Sequence, residues 1–251
     1  MNSNRAATLF FEIHNELPRE GPGDRASTRR AFDRVADTTA VRTILDVGCG
    51  PGMQTCDLAR AADVRVVALD TYRPYLDKLR VNSAREGLSR RIHIVEGSMF
   101  AMPLLPESVD AVWSEGAVYI IGFERGLREW GPFVRRGGCV VVSQLSWLTS
   151  EIPDQPRSFW ARHYPAMTTV DENLTTARRC GYEIVEQFTL PASAWWTDYY
   201  NPLEQRLERL RQQHRGDDDA QAIIAETQEQ IDLYRRFSPI YGYVFYVLRR
   251  T

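Results

Sequence analysis

Lysine is almost absent from this 251-residue chain: Lys78 is the only one among 31 basic residues, and 33 acids leave a net charge of −2. That balance offers no broad positive track and argues against a nucleic-acid partner. The arginine pairs Arg29-Arg30, Arg90-Arg91, Arg135-Arg136 and Arg178-Arg179 read as solvated faces. Cysteine is sparse as well. Cys49, Cys56, Cys139 and Cys180 form no Cys-x-x-Cys pair, which excludes a disulfide framework and a zinc motif and makes each a small filler. His93, His163 and His214 stand apart from one another, so no metal is expected. No apolar run reaches the roughly 18 residues that cross a bilayer, and no apolar signal core follows the first residues. The expectation is a cytoplasmic protein with no membrane partner; its oligomeric state is not legible.

What the chain does contain is an apolar strand, a glycine turn, a helix and a second apolar strand ending in an acid. The run is Ile44-Leu45-Asp46-Val47-Gly48-Cys49-Gly50-Pro51-Gly52, followed by Val66-Val67-Ala68-Leu69-Asp70. Glycines at alternate positions let the backbone approach a ligand closely, and the helix beginning near Pro51 points unpaired N–H groups into the turn. Asp70 falls one helix and one return turn later, at a strand end where a carboxylate receives ribose hydroxyls. A nicotinamide-type pocket would require glycine at position 53, which is Met.

The remaining pattern alternates strands and helices. Helix is predicted over Pro74–Glu86, Phe123–Arg135, a segment capped by Asp171 and stopping at Gly181, Pro202–Arg215 and Asp219–Arg236. Strands are predicted at Ile92–Glu96, Val109–Ser114, Cys139–Gln144 after a Gly137-Gly138 turn, Ile184–Leu190 and Tyr241–Leu248. Such alternation indicates an α/β protein with a mainly parallel sheet covered on both faces. With 43% apolar residues, one large core is affordable.

The Asp46 to Gly52 run resembles the first motif of the class I S-adenosylmethionine-dependent methyltransferases, Asp-x-Gly-x-Gly-x-Gly. The resemblance is specific from Arg42 to Trp147. It implies a Rossmann-like sheet of seven strands with an antiparallel last strand and a helical insertion between strands 6 and 7. It divides the chain into an N-terminal substrate or lid segment (1–40), a cofactor core (41–190), a helical insertion (191–237) and a final core strand (238–251). The implied cofactor is S-adenosylmethionine, with S-adenosylhomocysteine as product. Asp46, Gly48, Gly50 and Gly52 would hold its methionine part, Asp70 its ribose, and Tyr72, Ser98 and Met99 its adenine. Ser98 departs from the acid usual at that strand end.

Strand 4 ends in Trp113-Ser114-Glu115-Gly116, and the Leu17-Pro18-Arg19-Glu20-Gly21-Pro22-Gly23 loop precedes the core. Both features resemble a group of small bacterial-type methyltransferases of mostly unassigned substrate. Glu115 faces cofactor and acceptor together and is the first choice of general base, with His14 and Tyr119 as further catalytic candidates. Arg19 is a candidate for an acceptor carboxylate. Trp195, Trp196 and Tyr199 would either wall an acceptor pocket or cement the insertion onto the sheet. These residues together suit a small-molecule substrate, a compact polar metabolite such as an amino or keto acid. Methyl transfer to RNA or protein, and a pocket that binds the cofactor without turnover, are the alternatives.

Overall fold

The computed structural model describes residues 3–14 and 17–251, so Asn15 and Glu16 of the N-terminal stretch lie outside the described residues. Seven strands form one sheet in the order β3-β2-β1-β4-β5-β7-β6. They are β1 (Thr43–Val47), β2 (Arg65–Asp70), β3 (Ile92–Glu96), β4 (Val109–Glu115), β5 (Val134–Trp147), β6 (Tyr182–Thr189) and β7 (Tyr241–Arg250). All pairings are parallel except those of β7, which lies antiparallel between β5 and β6. The sheet order reverses between β1 and β4, and that switch point opens a crevice beyond the strands' carboxyl ends.

Strand periodicity assigns side chains to two cores, because successive Cβ atoms point to opposite faces. Ile44, Ala111 and Trp113 pack in one cluster, whereas Leu45, Val47 and Val112 pack in the other. The second cluster is roofed by α5 (Phe123–Trp130) and α7 (Val170–Arg179), through Leu127, Trp130 and Ala177. The first takes α2 (Arg25–Thr38), α3 (Met53–Ala61) and α4 (Arg73–Arg85), through Phe32, Leu58 and Leu79. A further helix, α6 (Asp154–His163), adds Phe159 and Trp160 to it.

Between β6 and β7 run α8 (Ser193–Trp195), a π-helical turn (Trp196–Tyr200), α9 (Asn201–Gln213) and α10 (Asp218–Phe237). The N-terminal α1 (Ser3–His14) packs on α9 and α10 and buries Leu9 and Ile13. Arg206 of α9 donates from Nε and Nη2 to the Glu12 carbonyl at 2.9 and 2.6 Å, fastening α1 to the segment between β6 and β7.

Three local expectations change. The helix from Phe123 stops at Trp130, where Gly131-Pro132-Phe133 tightens into a 3-10 turn and β5 begins. Gly137-Gly138 is no turn before the strand but a bulge inside it, with the register shifting between Val109 and Ala111 of β4. A bulge keeps a strand paired where a turn would end it. Helix α7 is capped by Thr169 rather than Asp171: the Thr169 side chain accepts from Glu172 N while Glu172 returns to Thr169 N, a reciprocal capping box.

Candidate active site

After β1 the chain turns through Gly48, Gly50 and Gly52, whose φ angles are 70, 54 and 84°. The amides of Gly48 and Cys49 donate to the Leu69 carbonyl at 2.8 and 3.1 Å. Asp70 accepts from Gly50 N and from Tyr72 N, both at 2.9 Å. One carboxylate thus sets the shape of both turns on either side of the cleft, and two of its roughly four acceptor positions stay open. Gly52 begins α3 in the left-handed region, where a Cβ would overlap Leu79 of the core. Gly52→Ala is expected to lower stability by on the order of 3 kcal/mol, combining left-handed backbone cost with overpacking. Thermal unfolding of the two proteins checks this.

The cleft above this loop has a volume of about 280 Å³, and Asp46, at the end of β1, lies fully buried beside it. Its Oδ2 accepts from Thr55 Oγ1 at 2.6 Å and from Gln54 Nε2 at 3.4 Å, while Oδ1 has no partner. Burial holds its carboxyl up at about 7; the Thr55 bond pulls it down and the charge of Glu115 pushes it up. Across the cleft, Arg19 Nη2 binds Glu115 Oε2 at 2.7 Å, both side chains being at most 5% exposed. Glu115 Oε1 accepts from Thr28 Oγ1 at 2.7 Å and from Trp113 Nε1 at 2.9 Å. The Arg19 Nη1 atom is buried without a partner. Gly23 leaves room for this guanidinium, since a side chain there would collide with it.

Residues 44–138 match a family described as a methyltransferase domain. The chain has the class I methyltransferase fold. It is 27% identical over 203 residues to 24-methylenesterol C-methyltransferase 2 of Oryza sativa subsp. japonica, covering 74% of this chain and 55% of that protein. The chain therefore spans about half the length of the curated relatives it matches. An S-adenosylhomocysteine complex of a SAM-dependent methyltransferase from Geobacter sulfurreducens superposes with a TM-score of 0.79 at 17% identity, covering 97% of this chain and 98% of the other. YjhP from E. coli gives a TM-score of 0.82 at 19% identity, covering 97% and 99%.

Gly48, Gly50, Asp70, Tyr72, Ser98, Met99, Arg19, Glu115 and Tyr119 all line one cleft. Asp46 and Gly52 support it from behind. Ser98 uses its Oγ to accept from Phe100 N at 3.2 Å, closing a tight turn after β3. Tyr72 lies flat against Phe11 of α1, ring centroids 3.8 Å apart, so α1 roofs that end of the cleft. Glu115 is not the free base expected from its position. Three donors occupy its oxygens, from Arg19, Thr28 and Trp113, and tie those residues to the cleft wall. His14 is buried one layer back, its Nε2 3.4 Å from the Tyr199 hydroxyl.

Trp195 and Trp196 do not reach the cleft. Trp195 is stacked on Tyr234 of α10 at 3.9 Å, and Arg235 lies over the Trp196 ring at 4.9 Å. Both cement the insertion, because the π-helical turn rotates their faces toward α10 while Tyr199 points back to α1.

Several contributors went unassigned in the sequence. Glu20, on the cleft wall, accepts from Tyr75 OH at 2.6 Å, and its carboxyl rises to about 7, mainly by burial. Gln54 also lines the cleft, and Thr28 reaches it through Glu115. All four cysteines are free, and burial raises each thiol. Among the described residues, no group of three or more His, Cys, Asp or Glu is placed to hold a metal ion, and no helix is long and apolar enough to cross a membrane.

Proposed function

We propose that this protein transfers a methyl group from S-adenosylmethionine to a small-molecule acceptor. The observation that carries the reading is the pair of buried, unpartnered atoms Arg19 Nη1 and Asp46 Oδ1. An unmet buried guanidinium and carboxylate are costly, and an amino-acid head group satisfies both, its carboxylate against Arg19 and its ammonium against Asp46. Asp70 stands farther along the same cleft with acceptor positions left for ribose hydroxyls, so one ligand unites amino acid and nucleoside. Tyr72, Ser98 and Met99 then border the base, and Gly48 and Gly50 underlie the methionine chain.

The bound cofactor supplies an activated methyl carbon, and the protein's contribution is to orient the acceptor and exclude water. Residues 1–40 and 191–237 would build the acceptor side, with the Leu17–Asp24 loop over the cleft. That loop is tied down by Gly23 N to the Ala194 carbonyl at 3.1 Å and by the Asp24 cap on α2. The acceptor of the rice relative, by its name, is a sterol, which supports a small organic acceptor over RNA or protein. The amino or keto acid reading needed Arg19 free for an acceptor carboxylate. Arg19 Nη2 is held by Glu115, which leaves Nη1 as its one unpartnered donor for either ligand.

Calorimetric titration with S-adenosylhomocysteine tests the assignment. Asp70→Ala is expected to weaken binding at least tenfold, since a hydrogen bond to a charged group contributes about 1.5–3 kcal/mol. Equal affinity in the two proteins would remove the ribose assignment.

A further inference from the structure

We infer that Glu20, reaching in from the loop ahead of the core, faces the positive charge of the methyl donor, so that the cleft holds a cationic donor more tightly than the neutral thioether left after transfer. The inference rests on the methyl-donor reading of the cleft and adds to it a residue and a charge preference.

The cleft is lined by one basic side chain, Arg19, and three acidic ones, Glu20, Asp70 and Glu115. Arg19 and Glu115 offset each other across 2.7 Å, and the buried Asp46 adds a further acid behind the wall. Asp70 spends acceptor positions on Gly50 N and Tyr72 N. Glu20 gives Oε2 to the Tyr75 hydroxyl at 2.6 Å, and its Oε1 is buried with no partner. A hydroxyl brings no compensating charge. Lys78 bears on Glu20 from α4 only through space, its Nζ lying 5.9 Å from the Tyr75 ring centroid. Glu20 is therefore the carboxyl group on this wall with the least done to satisfy it, and a cleft with an excess of one sign focuses its field on whatever enters.

Its position matches the atom that carries the donor's charge. Sulfur joins the methionine chain to the ribose, and Glu20 stands beside the groups assigned to each. A Cβ at Gly50, under the chain, would lie 3.6 Å from Glu20 Cγ. Asp70, toward the ribose, is close enough for its charge to act on Glu20, and Glu20 acts in turn on Tyr199 of the π-helical turn. The loop is anchored on both sides of this residue, by Arg19 on Glu115 and by Gly23 N on the Ala194 carbonyl. In the transfer the acceptor's nucleophilic atom bonds to the methyl carbon as the carbon–sulfur bond breaks, its electron pair remaining on sulfur. The positive charge leaves with the acceptor or its proton, and the attraction to Glu20 ends there. Donor and product share head group, ribose and base, so the ratio of their affinities cancels Arg19, Asp46 and Asp70 in those roles and reports the charge at sulfur.

Calorimetric titration with S-adenosylmethionine, sinefungin and S-adenosylhomocysteine tests this. Sinefungin carries an amine on carbon where the donor has its methyl sulfonium, so it is cationic without being reactive. At about pH 8 both cations are expected to bind at least about tenfold more tightly than S-adenosylhomocysteine. Burial first, and Asp70 as well, hold the Glu20 carboxyl at about 7 against the Tyr75 bond and Lys78, so it is a carboxylate above that pH and protonated below. The preference should therefore shrink as pH falls from about 8 to about 5.5. Glu20→Gln keeps the size and can still accept from Tyr75. It is expected to bring the three ligands within about threefold of one another at about pH 8, with S-adenosylhomocysteine affinity close to that of the wild type. Equal affinities in the wild type, an undiminished preference in Glu20→Gln, or a loss of S-adenosylhomocysteine in that variant equal to the loss of the cations overturns the inference. Should Glu20→Gln not fold, the wild-type series decides: a preference that stays constant over this pH range overturns it. Failure of the wild type to bind any of the three overturns the methyl-donor reading instead.

Discussion

Arg19→Ala is expected to destabilise the free protein by about 3–5 kcal/mol and to remove cofactor binding from the calorimetrically measurable range. Arg19 and Glu115 have side chains 5 and 1% exposed, and their 2.7 Å bridge is the only charge compensation given to Glu115 among its three hydrogen bonds. Removing one partner of a buried ion pair strands the other, which costs several times what an exposed pair does. Binding suffers separately, because Nη1 is the unpartnered donor proposed to meet the cofactor's carboxylate. Arg19→Lys separates the two effects: it restores part of the stability through its charge, but a single ammonium cannot serve Glu115 and a ligand carboxylate with a planar fork. Urea midpoints read the first effect and S-adenosylhomocysteine titration the second. A wild-type midpoint in Arg19→Ala would show that the bridge is not a clamp.

Asp46 governs the second large effect, a pH dependence of cofactor affinity. Its carboxyl sits at about 7 in the free protein, held there chiefly by burial, so it is protonated below that pH and a carboxylate above it. The ligand ammonium requires the carboxylate. Affinity is therefore expected to climb as pH rises toward 7, by up to about tenfold per unit, and to level off above. Asp46→Asn should bind at least tenfold more weakly at about pH 8 and lose this share of the slope. Glu20, also at about 7, remains in both proteins, so their difference isolates Asp46. The same raised value has the opposite consequence for stability. The native state keeps a proton that the unfolded chain releases near pH 4, so the Asp46 contribution to stability falls as pH rises from about 4 to 7 and is flat beyond. Titrations from about pH 5.5 to 8.5 on both proteins check the prediction; parallel curves would place the ammonium elsewhere.

The glycine-turn side of the cleft was legible because its determinants are local. Asp46, the glycines and Asp70 fall on one strand–turn–helix–strand unit, where strand period, turn chemistry and helix length together fix which atoms face the crevice. The seven-stranded sheet and the antiparallel β7 followed from the resemblance, and the helices of the insertion from its polar, helical pattern. What stayed hidden depends on long-range closure. Glu115 reads as a free base at the end of β4 until Arg19, 96 residues away, and Thr28, 87 residues away, come to rest on its two oxygens. Trp195, Trp196 and Tyr199 are near neighbours in sequence, yet the π-helical turn sends the tryptophans to α10 and the tyrosine to His14, 185 residues distant. Local composition sets which backbone conformations are available. Partner identity for a buried polar group is set only when packing removes water from it, and that event belongs to the whole fold.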